Sequence, residues 1–86
     1  MRTTTISASD INNWLVNFVA SLLNIEPKEV NINIPFERYG LESADIVGMT
    51  AELEDWLHCS LEDPALVYEY PTIEALTAYL ADNYVI

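Results

Sequence analysis

Ile11, Trp14, Leu15, Phe18, Val19, Leu22 and Leu23 recur at i, i+3, i+4, i+7, i+8, i+11 and i+12, an unbroken apolar stripe at helical spacing. The spacing predicts a first helix over about 8–24, opened by Ser7 with Asp10 three residues on, a variant of the capping box. Trp14 and Phe18 lie in the stripe and read as core residues, not as a ligand box. A second run, Ile46, Met49, Thr50, Leu53 and Leu57 with Val47 beside it, predicts a helix over 43–58. Glu52, Glu54 and Asp55 fall on its other faces. Gly48 inside it costs about 1 kcal/mol relative to alanine, so a close-packing or docking reason is expected. Asp63-Pro64 is a start signal for a short helix over 65–68, which Pro71 cuts off. Thr72 then caps a last helix reaching about 82, with Ile73, Leu76 and Leu80 turned inward.

Between the first two helices runs a long connection, 25–42, holding Pro27, Pro35 and Gly40. A short turn fits 27–30, with proline suited to a first helical position. Val30, Ile32 and Ile34 alternate with Asn31 and Asn33 as a strand would, but no other segment offers a partner and a lone strand is not viable. Phe36 and Tyr39 are expected to anchor this connection on the helices. The expected fold is all-α: a four-helix bundle of three longer helices and one short third helix, with a long loop after the first. The 86 residues make one domain, 1–86, with 1–6 as a lead-in and the bundle over about 8–82. A compact chain of this length has a radius of gyration of about 12 Å.

Charge narrows the partners. Three Lys+Arg against 14 Asp+Glu give a net −11. The basic residues are Arg2, Lys28 and Arg38, whereas Glu42, Asp45, Glu52, Glu54, Asp55, Glu62, Asp63, Glu69, Glu74 and Asp82 all follow position 38. Such a surface repels polyanions, so nucleic acid and anionic membranes are not expected partners. It steers basic proteins instead. The lone Cys59 excludes an internal disulfide and reads as a small buried hydrophobe; a reducing, cytoplasmic setting and a monomer are expected. The sequence offers no signal peptide and no apolar run long enough to cross a membrane.

The chemistry concentrates in Phe36-Glu37-Arg38-Tyr39-Gly40-Leu41-Glu42-Ser43-Ala44-Asp45-Ile46-Val47. Ser43 sits where the long loop meets the second helix, so a phosphodiester formed on its hydroxyl would face free backbone N–H groups and the positive end of the helix dipole. Gly40 permits the preceding turn, and Glu42 and Asp45 flank the serine. On residue type alone Ser43 is equally a helix cap, and an unmodified acidic adaptor stays open. Enzyme readings fail on inventory. Ser43 lacks a Gly-x-Ser-x-Gly elbow, and His58, the single histidine, lies about 22 Å farther along the same helix. One histidine and one cysteine make no transition-metal set, the acids match no calcium loop, and two glycines allow no phosphate loop.

Over residues 8–82 the chain resembles an acyl carrier protein. The resemblance rests on the helix order, the long first loop, Gly40-Leu41-Glu42-Ser43, the acidic second helix and the run Tyr68-Glu69-Tyr70-Pro71-Thr72-Ile73-Glu74-Ala75-Leu76. That run is more similar to polyketide-synthase carriers than to fatty-acid ones. The resemblance implies a covalent 4'-phosphopantetheine on Ser43, donated by coenzyme A through a phosphopantetheinyl transferase. It further implies acyl groups held as thioesters and no catalysis by the chain itself. Implied partners are an acyl-loading enzyme, such as an acyl-adenylate-forming ligase, and a downstream ketosynthase or tailoring enzyme. The implied docking set is Leu41, Glu42, Ala44, Asp45, Gly48, Met49, Glu52 and Asp55; Leu41, Met49 and Val47 are also candidates to line a chain-binding cleft, with core packing preferred for Val47. Two positions depart from the family pattern: Glu42 replaces the usual aspartate, and Ala44 replaces the usual leucine. With Gly48 and Ala51, Ala44 is expected to flatten the docking face and narrow the accepted enzymes. A free-standing carrier of natural-product biosynthesis is expected, with a peptidyl carrier as the alternative.

Overall fold

In the computed structural model, residues 6–58, 60–61 and 66–83 are described. Cys59 and the Asp63-Pro64 start signal lie outside them. Among the described residues the chain forms four α-helices and two 3₁₀ turns, with no strand. The helices are α1 (Ala8–Leu23), α2 (Ser43–Leu57), α3 (Leu66–Glu69) and α4 (Ile73–Asn83); the turns are Pro27–Glu29 and Phe36–Tyr39. The radius of gyration is 12.4 Å, as expected for this length. The all-α bundle with a short third helix stands, and Val30, Ile32 and Ile34 form no strand.

The capping box at α1 is complete: the Asp10 amide donates to Ser7 Oγ at 3.1 Å, and the Ser7 amide donates to the Asp10 carboxylate at 3.0 Å. α1 ends one residue earlier than the stripe predicts because Asn24 turns left-handed, with φ 60°. The Ile25 and Asn24 amides then close back on the Ala20 and Ser21 carbonyls in a Schellman arrangement. Asparagine tolerates that conformation better than most residues. At α4 the Ala75 amide donates to Thr72 Oγ1 at 3.0 Å, the expected cap.

Ile11, Leu15 and Val19 of α1 meet a core that includes Met49 and Leu53 of α2, Leu66 and Val67 of α3, and Ile73, Leu76 and Leu80 of α4. Phe36 closes this core from the long connection and is 2% exposed. Its amide donates to the Pro71 carbonyl at 2.8 Å, and the Glu74 amide donates to the Ile32 carbonyl at 3.1 Å. Two backbone bonds thus fasten the connection to the start of α4. Tyr39 secures the connection internally: its hydroxyl accepts from the Asn31 amide and donates to the Asn31 carbonyl.

Thr77 of α4 is a misfit. It is 8% exposed and its hydroxyl oxygen has no hydrogen-bond partner among the described residues. A buried hydroxyl without a partner carries a desolvation cost of about 1–3 kcal/mol. Thr77→Val keeps the shape and removes the polar atom. Its expected effect is a gain of about 1 kcal/mol, a rise in melting temperature of about 4–8 °C for a domain this small. Calorimetry of the two proteins checks it; a lower melting temperature for valine contradicts the account.

Candidate functional site

Three local features bring Ser43 to the surface. The 3₁₀ turn Phe36–Tyr39 ends at Gly40, whose φ of 79° and amide bond to the Glu37 carbonyl reverse the chain. A side chain is strained at that φ, which is why glycine stands there. Leu41 drops into the core and is 8% exposed. Glu42 is then the extended residue before α2, and its amide donates to the Asp45 carboxylate at 3.0 Å. Asp45 is thereby held as a helix-capping group on the first turn.

Ser43 is the first residue of α2 and is exposed. The first intrahelical bond runs from the Ile46 amide to the Glu42 carbonyl at 3.0 Å. The Ser43 and Ala44 amides, earlier in the turn, have no carbonyl within the helix to meet. A phosphate ester on Ser43 Oγ sits beside donors and the positive end of a fifteen-residue helix, which stabilise negative charge.

Below the serine a groove of about 260 Å³ runs between α2 and α3, lined by Ile46, Val47, Thr50, Ala51, Glu54 and Tyr68. Val47 and Glu54 follow Ser43 by four and eleven residues, within about 40° of it around the helix axis. The groove and the hydroxyl therefore share one face. Val47 is 67% exposed and Tyr68 63%, so Val47 is not packed in the core but lines the groove, the second of the two places expected for it. Its place beside the stripe hid this: α3 covers Ile46 and leaves the neighbouring position to solvent. The Glu54 carboxylate accepts from the Leu61 amide at 2.7 Å, closing one end of the groove. Thr50 Oγ1 turns back on the Ile46 carbonyl, leaving its methyl for the groove. Sequence reasoning passed over Thr50, Ala51, Glu54 and Tyr68 as groove residues, although the i+7, i+8 and i+11 spacing from Ser43 was a signal for the first three.

The expected docking set divides. Glu42, Ala44, Glu52 and Asp55 are exposed, and Asp45 and Gly48 are half-buried. Met49 has no exposed surface and Leu41 almost none, so neither offers a contact to a partner. Both are corrected to core residues: Met49 faces the bundle one turn from Leu53, and Leu41 is the anchor that precedes the exposed serine. Gly48 has no packing reason either, since a Cβ built there would meet nothing within 4 Å.

Among the described residues no cluster of three metal-ligating side chains exists, and no helix is long and apolar enough to cross a membrane. Fold and site define a small helical scaffold with an exposed serine at the head of α2. Residues 13–80 match the family described as the phosphopantetheine attachment site, and the chain belongs to that family of carrier proteins. It is 30% identical over 77 residues to the acyl carrier protein TtuC of Teredinibacter turnerae, covering 90% of this chain and 87% of that one. It is 30% identical over 71 residues to the polyketide synthase PksL of Bacillus subtilis, covering 83% of this chain but 2% of the synthase. Among solved structures it is similar to Asl1650, an acyl carrier protein from Anabaena sp. PCC 7120 with a variant phosphopantetheinylation-site sequence. The TM-score there is 0.87 with 33% identity, over 98% of this chain and 96% of the other.

The family carries a covalent phosphopantetheine, and the residues here fit one. They supply an exposed serine oxygen, first-turn amides with no carbonyl partner within the helix and an open groove on the same face.

Proposed function

We propose that Ser43 is the attachment residue and that the chain carries acyl intermediates of polyketide-type or related natural-product biosynthesis. The observation that carries the reading is the exposed Ser43 hydroxyl at the head of α2, opening onto the groove beneath it. When bound, the prosthetic group supplies a distal thiol that holds an acyl chain as a thioester. The chain's own residues do the rest. In a transferase's active site Ser43 Oγ would form a phosphodiester with the pantetheine-side phosphate of coenzyme A as the diphosphate bond breaks, with adenosine 3',5'-bisphosphate leaving and the hydroxyl proton passing to a base of the transferase, and the Ser43 and Ala44 amides would stabilise the charge of the ester. Asp45 holds the first turn of α2 in register by capping Glu42. Val47, Ala51 and Tyr68 offer apolar surface along the groove to whatever is tethered above them.

Acyl-handling enzymes and a phosphopantetheinyl transferase are the partners of this family. For this chain we assign the loading step to an acyl-adenylate-forming ligase and the next step to a ketosynthase or tailoring enzyme. Their docking falls to Glu42, Ala44, Glu52 and Asp55, with Gly48 beside them; exposed acids give fast, salt-sensitive association suited to successive partners. Glu42 and Ala44 depart from the usual pattern. The similarity to a carrier whose own attachment sequence is a variant supports a functional serine in such a setting.

The test is intact mass after incubation with coenzyme A and a broad-specificity transferase, with peptide mapping of the product. The expected result is a gain of one phosphopantetheine located on the peptide containing Ser43. No gain with any transferase leaves an acidic adaptor as the better reading.

A further inference from the structure

Most aromatic rings among the described residues already have a partner. Trp14 stacks on Phe18 and on Trp56, with centroids 5.5 and 5.6 Å apart, and Tyr70 stacks on Tyr79 at 4.4 Å. Phe36 is in the core, and the Tyr39 hydroxyl is tied to Asn31. Tyr68 differs. It is 63% exposed, and its side chain has neither a ring neighbour nor a hydrogen bond among the described residues. It forms the α3 wall of the groove below Ser43.

The facing wall is α2, and its exposed part is small and apolar. Val47 and Ala51 are exposed, and Thr50 offers its methyl because its hydroxyl donates to the Ile46 carbonyl at 2.9 Å. Glu54 bounds the groove with a carboxylate that accepts from the Leu61 amide, and no lysine or arginine follows Arg38 to offset that acid. The groove measures about 260 Å³, whereas an apolar cavity of about 150 Å³ is enough for benzene.

These walls discriminate between acyl groups. A ring laid against Tyr68 gains an aromatic contact beyond the area it buries, and an aliphatic group of the same size gains the area alone. An acyl group that ends in a carboxylate meets Glu54 with no cation in the groove lining. We propose that the groove takes an acyl group ending in an uncharged aromatic ring, seated between Tyr68 and the Val47–Ala51 face of α2, and that Tyr68 selects it. This rests on Ser43 as the attachment residue and names the class of acyl group held there.

The test loads the full chain with a broad-specificity transferase from four acyl-coenzyme A donors. Phenylacetyl, cyclohexylacetyl and octanoyl groups have the same number of carbons and differ in shape and aromaticity, while malonyl brings a carboxylate. Intact mass first confirms one acyl-phosphopantetheine per chain. The readouts are NMR shifts and the rate at which hydroxylamine cleaves each thioester, relative to the same acyl-coenzyme A free in solution. The expected result is upfield ring-current shifts of the Val47, Thr50 and Ala51 methyls in the phenylacetyl form alone. Its thioester should be cleaved about 2–12-fold more slowly than the cyclohexylacetyl one, the aromatic gain expressed as a ratio. Tyr68→Phe should keep that ratio and Tyr68→Leu should bring it to one; the side chain is exposed, so both variants fold. Equal protection of the two ring compounds, stronger protection of octanoyl or malonyl, or an unchanged ratio in Tyr68→Leu overturns the proposal and leaves Ser43 as the attachment residue. Absence of any mass gain overturns the attachment reading, and the proposal falls with it.

Discussion

Ser43→Ala is expected to abolish the mass gain completely while leaving the fold intact. The chemistry needs a hydroxyl oxygen at the head of α2, and alanine offers none. The same substitution is mild for the scaffold. Ser43 is the first helical residue and exposed, Asp45 performs the cap, and alanine is the best helix former. Stability should stay within about 0.5 kcal/mol of the parent, as for surface substitutions away from special features. Circular dichroism and a melting curve alongside the mass spectrum separate the two effects. A mass gain that persists in Ser43→Ala places the attachment elsewhere; an unfolded variant contradicts the structural account of the helix start.

Phe36→Ala is the largest expected loss of stability. Phe36 is among the largest fully buried side chains and comes from the connection, not from a helix. Truncating a buried phenylalanine costs about 3–5 kcal/mol, transfer and cavity terms together. An 86-residue domain holds about 4–13 kcal/mol in all, at about 0.05–0.15 kcal/mol per residue. One substitution therefore removes a large part of the total. Phe36 also borders a small cavity of about 30 Å³ with Glu37, Ile46, Val67, Tyr68 and Pro71, so the void opens beside existing empty space. Urea unfolding should show a lower midpoint with an unchanged slope. Phe36→Leu, which keeps much of the volume, should cost under about 1.5 kcal/mol. Equal midpoints for Phe36→Ala and the parent would mean that the connection is not part of the core.

The parts of this fold legible in the sequence are those set by neighbours a few residues away. Ser7 with Asp10 and Thr72 before Ile73 announce helix starts because the capping partner is three residues off. The stripe Ile11, Leu15, Val19 gives a face because helical period alone sets it. Ser43 at a loop–helix junction was visible for the same reason. What period does not give is where a neighbouring helix stops covering a face. Val47 beside the α2 stripe and Leu22 within the α1 stripe both emerge exposed, because the period of one helix does not say which of its positions a neighbour covers. Met49 and Leu41 err in the opposite direction. Proximity to the serine suggested contact with partners, but tertiary packing buries both. The second 3₁₀ turn, Phe36–Tyr39, carries no period long enough to read and emerges only when Phe36 finds the core.

The two backbone bonds between the long connection and the start of α4 have a consequence for handling. With a prosthetic group on Ser43, as proposed, a partner enzyme drawing on it would load the chain just beyond Phe36 and Gly40. Because Phe36 and Ile32 are bolted to Pro71 and Glu74, distant in sequence, the pull is shared with the C-terminal half of the domain instead of peeling one loop. Hydrogen exchange should find the Phe36 and Glu74 amides opening together, as one cooperative unit.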